Sequence, residues 1–130
     1  MKVRLLTIFS LLLAGALIIA ACGGGGPAAT PTPEGPAGDA VAGKAKFETT
    51  CTTCHGPDAK GLPGLGKDLT ASEFAKGLSN QELVDFLLVG RPASDPLNTT
   101  GVDMPPRGGN PAFTDQDLVD IMTYIRTLQQ

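Results

Sequence analysis

Cys51, Cys54 and His55 follow one another as C-x-x-C-H, the pattern of covalent c-type haem attachment. The spacing suits the chemistry. Two thiols about one helical turn apart add to the two vinyl groups on one porphyrin edge, and the next histidine brings an imidazole beneath the iron. Other chemistries use the same residue types. A zinc site needs a fourth protein ligand, yet His55 is the only histidine and the third cysteine, Cys22, lies in an N-terminal leader. A thioredoxin-type dithiol expects a βαβ setting, and no strong strand pattern precedes Cys51. A disulfide between Cys51 and Cys54 leaves His55 without a role. The stretch therefore reads as the site of one covalent haem c, with Cys51 and Cys54 as thioether carriers and His55 as an axial iron ligand.

The other face of the iron needs a ligand of its own. Two methionines follow the leader, Met104 and Met122. Met122 falls on an apolar helical stripe, where a thioether more often fills a core. Met104 stands in a loop before Pro105 and Pro106, which remove backbone donors and stiffen the chain that carries the sulfur. Met104 is the expected second axial ligand. A soft thioether favours ferrous iron and raises the potential relative to bis-histidine ligation.

Helical elements must position these groups. Asp39 can cap a helix beginning at Ala40 and running towards Cys51. On it Gly43 and Phe47 are four residues apart and share a face, as a close helix crossing requires. Gly56 to Asp68 reads as loop, with Leu62, Leu65 and Leu69 as candidates to pack against the macrocycle. Ser72 to Gly77 can form a weak helical turn. Ser79-x-x-Glu82 is a capping box that opens a helix carrying Leu83, Phe86 and Leu87 and ending at Gly90-Arg91-Pro92. Ala93 to Pro111 is a second long loop, and it contains Met104. Thr114-x-x-Asp117 repeats the capping-box pattern with Asp for Glu. Leu118, Ile121, Met122, Ile125 and Leu128 then mark an amphipathic C-terminal helix, with Tyr124 flanking the stripe.

Residues 1–21 have the build of a secretory leader: Lys2 and Arg4, then an apolar run to Ala21. The run ends in Ile19-Ala20-Ala21-Cys22, which resembles the lipobox of bacterial lipoproteins. That resemblance implies cleavage before Cys22 and lipidation of its sulfur. Residues 22–38 form a tether. Gly23 to Gly38 holds six glycines and four prolines, too little apolar surface to order itself, and spans roughly 20–25 Å as a flexible chain. Residues 39–130 are one domain. The formal net charge of −3 includes Lys2 and Arg4, so the chain without its leader stands at −5. Such a head does not suit nucleic acid or an anionic membrane surface.

From Asp39 onward the chain resembles the class I cytochromes c. The resemblance rests on Gly43 and Phe47 before Cys51-x-x-Cys54-His55, on Met104-Pro105-Pro106 some fifty residues later, and on a final helix with Tyr124 and Leu128. It implies an all-α fold, its helices packed around one covalent haem and its N- and C-terminal helices crossing near Gly43, Phe47 and Tyr124. The implied role is one-electron carriage rather than catalysis, between donor and acceptor redox proteins of a respiratory or photosynthetic chain, on the extracytoplasmic face of the cell membrane. A haem subunit of a larger redox enzyme and a ligand-binding haem sensor or enzyme are the competing readings. The family often has proline two residues before the loop leucine, its carbonyl accepting a bond from the axial histidine. Here Lys67 holds that place and Pro63 lies four residues earlier, so the carbonyl acceptor expected for His55 falls to one or the other.

Overall fold

The computed structural model describes Pro36 and residues 38–129. The leader of residues 1–21, the lipidation candidate Cys22 and nearly all of the tether lie outside the described residues. Helix α1 (Ala40–Thr50) is capped by the Asp39 carboxylate, which accepts from the amides of Val41 and Ala42. A short helix α2 (Thr52–His55) continues it through Cys51. Helix α3 (Glu73–Gly77) is capped by Ser72. Both expected capping boxes form, at Ser79 with Glu82 for α4 (Asn80–Val89) and at Thr114 with Asp117 for α5 (Asp115–Leu128). A 3-10 turn, Pro106–Gly109, interrupts the second long loop. No strand occurs among the described residues; Arg91 and Met104 form an isolated antiparallel bridge.

The core lies where α1 and α5 cross. Gly43 and Phe47 are the buried residues of α1, and Phe47 meets Tyr124 edge-on with ring centroids 5.4 Å apart. The stripe on α5 buries Leu118, Ile121, Met122 and Ile125, while Leu128 stays half-buried at the helix end. Leu83, Val84 and Leu87 bring α4 onto the same core. The Arg126 guanidinium fastens the α3–α4 junction to α5, donating to the carbonyls of Ala75 and Leu78 and to Asn80 Oδ1.

Two details sharpen the domain's N-terminal edge. Gly38, assigned by composition to the tether, donates its N–H to Thr123 Oγ1 at 3.0 Å and so belongs to the folded head. Asp120 is off the apolar stripe yet only 7% exposed. Its carboxylate accepts from the Asp39 amide, the Gln116 side chain and Lys46 Nζ, each at 3.0 Å.

Candidate functional site

Helix α1 delivers Cys51 because its hydrogen bonding runs on past its end. The Cys51 amide donates to Phe47 O, and the His55 amide donates to Cys51 O. Cys51, Cys54 and His55 therefore sit on one continuous turn, as the C-x-x-C-H spacing demands. No disulfide joins Cys51 to Cys54. Among the described residues no three His, Cys, Asp or Glu side chains converge on a point, so the zinc alternative lacks its ligand set.

The His55 ring is fixed from below. Its Nδ1–H donates to the carbonyl of Lys67 at 2.8 Å, which answers the choice between Pro63 and Lys67 in favour of Lys67. A carbonyl can only accept, so Nδ1 carries the proton and Nε2 keeps its lone pair for a metal. The carbonyl is itself held in place. The Asp68 carboxylate accepts from the amides of Thr70 and Ala71 and from Thr70 Oγ1, and the Leu69 amide donates to Ala59 O. Burial pushes the His55 pKa down, outweighing the opposite effect of the Lys67 bond, so the imidazole is neutral at neutral pH. Burial, helped by the neighbouring Cys54, pushes the Cys51 thiol up to about 11.

These groups line a cavity of about 470 Å³, within the roughly 300–1,000 Å³ usual for ligand pockets. Its apolar walls come from four of the helices: Phe47 of α1, Phe74 of α3, Leu83 and Leu87 of α4, Leu118, Ile121 and Ile125 of α5. Leu65 and Leu69 line it as expected, but Leu62 does not. Leu62 borders a separate outer cleft with Lys60 and Lys67. The loop glycines serve the loop's own packing: a Cβ on Gly61 or Gly66 would strike the backbone of Gly66 or Cys54.

Met104 lines the cavity and is half-buried; Met122 is wholly buried in the core and is not among the lining residues. The loop that bears Met104 is ordered by its own hydrogen bonds. Asn98 donates to the carbonyls of Pro92 and Val102 and accepts from the amides of Thr100 and Gly101. Leu97, Thr99 and Val102 of this strap face the cavity. Sequence reasoning passed over Arg91, which also lines it, stacked on Phe74 and Phe86. Its only sequence signal was an arginine next to a helix-ending glycine.

Two thiols, a neutral imidazole and a thioether thus share one apolar cavity, a donor set that fits covalent haem and suits no harder metal. An all-α domain built around such a cavity defines a c-type haem protein. The cytochrome c family profile matches residues 40–129, and the chain belongs to that family, as a haem-bearing electron carrier with covalently bound haem c. It is 33% identical over 88 residues to cytochrome c-555 of Chlorobaculum thiosulfatiphilum, an alignment covering 67% of this chain and 93% of that protein. Cytochrome c-555 of Chlorobaculum tepidum is likewise 33% identical over 88 residues, covering 67% of this chain and 74% of the relative. No solved structure gives a significant match.

Proposed function

We propose that the protein is a membrane-tethered one-electron carrier in which Cys51 and Cys54 hold the haem through thioethers while His55 Nε2 and Met104 Sδ ligate the iron. The observation that carries this reading is the shared cavity: both thiols, the imidazole and the Met104 thioether line it. The bound haem supplies an iron that takes up and releases one electron. The chain supplies the rest. Lys67 O orients the imidazole and keeps its outer proton, the bridge to Arg91 holds the Met104 backbone, and the apolar walls keep water away. Ligands and walls fixed in advance need little rearrangement when the charge at the centre changes. That suits carriage more than bond-making chemistry.

The tether follows from residues 2–22. A charged start, an apolar run and Ile19-Ala20-Ala21-Cys22 support cleavage before Cys22 and acylation there. Several acyl chains, at roughly 0.8 kcal/mol per buried methylene, anchor stably where one would not. The head then works on the extracytoplasmic face, between a quinol-oxidising complex as donor and a terminal oxidase or photosynthetic reaction centre as acceptor.

The ligand assignment is tested with Met104→Ala. The ferric variant should lose the weak far-red sulfur-to-iron charge-transfer band, show a lower reduction potential and bind carbon monoxide in the ferrous state. An unchanged band overturns Met104 as ligand. Cys22→Ser tests the anchor by intact mass: an uncleaved, unacylated precursor is expected, and an unchanged mature mass argues against lipidation.

A further inference from the structure

We propose that Arg91 is the positioning residue for Met104: it fastens the segment bearing that thioether to the helical scaffold, and its loss frees the segment while the fold stays intact. The inference rests on Met104 being the iron ligand.

Two kinds of contact meet on Arg91. Through its backbone it pairs with Met104 in both directions, its N–H donating to Met104 O at 2.7 Å and its carbonyl accepting from Met104 N–H at 2.8 Å. Among the described residues this is the one isolated bridge of its kind. Pro105 and Pro106 have no N–H to add a further bond. Through its side chain, only 17% exposed, Arg91 is tied to two helices. Its guanidinium carbon lies 4.3 Å from the ring centroid of Phe74 in α3 and 4.9 Å from that of Phe86 in α4. Those rings brace each other edge-on at 5.1 Å. Cation–π contacts of this kind strengthen as water is excluded. The polar contacts to the strap are long for their kind: Nε stands 3.6 Å from Asp95 Oδ2, and a terminal guanidinium nitrogen stands 3.5 Å from Leu97 O.

The preceding residue tightens the same joint. Gly90 ends α4 with φ +73°, and a Cβ there would lie 2.2 Å from Met104 O. The Met104 backbone thus lies directly against the end of a rigid helix, with the Arg91 side chain as its lateral stay. Beyond Met104 the chain has a separate fastening, since Arg107 donates to Phe113 O and Asp115 Oδ1. Arg91 serves the end that bears the thioether.

The test uses the haem-loaded full chain in three variants, Arg91→Gln, Arg91→Lys and Met104→Ala. Three quantities are read: the temperature at which the far-red band disappears, the helical unfolding temperature from circular dichroism, and the rate of carbon monoxide binding to the ferrous form. In Arg91→Gln the band should vanish well below global unfolding, and carbon monoxide should bind about tenfold faster, the factor that ~1.4 kcal/mol represents. Arg91→Lys keeps the charge but not the planar face, and should fall between wild type and Arg91→Gln. If Arg91→Gln does not fold, Arg91→Lys carries the comparison alone. Band loss that tracks global unfolding in the variants, or a band and a rate that do not move, overturns the positioning role. A Met104→Ala protein that retains the band overturns the ligand assignment instead, whatever the Arg91 variants do.

Discussion

Gly43 of α1 passes so close to Asp120 of α5 that a Cβ on the glycine would sit 1.9 Å from the Asp120 carbonyl oxygen. What it would strike is the backbone of a long helix, which has no rotamer to retreat into. The Asp120 side chain holds the same crossing together from the other side, binding the Asp39 amide and Lys46 Nζ. One residue of α5 is thus both the saddle on which α1 rests and the latch that keeps it there. The angle of that crossing decides where α1 delivers Cys51.

Gly43→Ala should therefore destabilise the protein by about 2–3 kcal/mol, and Gly43→Val by more, since overpacked helices must move apart. Urea unfolding of the holoprotein measures it. A neutral Gly43→Ala would mean that the crossing yields more easily than its geometry implies.

Asp120 should leave a signature in acid. Burial pushes its carboxyl pKa up, but the Asp39 amide, the Gln116 amide and the Lys46 ammonium together outweigh that and hold it below the ordinary range. A depressed folded-state value stabilises the fold above the unfolded pKa of about 3.9, and the contribution fades as pH falls through the folded value. Asp120→Asn should lower the melting temperature most above about pH 5, and the gap to wild type should narrow as the pH falls below the unfolded-state pKa of about 3.9. A gap that stays constant with pH would show that packing, not charge, is what Asp120 provides.

Met122 gives the contrast to Met104. It is wholly buried in the core, so Met122→Ala should destabilise by roughly 2–5 kcal/mol. The far-red band and the reduction potential should stay as they are. Loss of the band in this variant, with its retention in Met104→Ala, would exchange the two roles.

Covalent attachment is checked by extraction. The Cys51→Ser, Cys54→Ser double variant should release its haem into acidified organic solvent, whereas the wild type keeps it. Haem retained by the double variant would show another bond to the protein.

What the sequence by itself determined is local in origin. The attachment motif, the Asp39 cap, the two capping boxes and the apolar stripe of α5 depend on residues at most one or two helical turns apart. Backbone geometry alone brings such neighbours together. Met104, which lines the cavity, stood out for a related reason: two prolines and a long loop mark it without any partner being known.

The tertiary structure decided what depends on distant partners. Lys67 rather than Pro63 bonds His55 because the Asp68 turn and the Leu69–Ala59 bond aim the Lys67 carbonyl inward. Asp120 lies off the apolar stripe and no local pattern marks it for burial; α1, more than seventy residues upstream, covers it. Leu65 lines the cavity while Leu62, three residues earlier in the same loop, borders a separate cleft. Arg91 looked like helix-end punctuation until Phe74, Phe86 and Met104 closed around it. Each of these outcomes is a contact between segments with no shared local period, and only the packed chain brings them within reach.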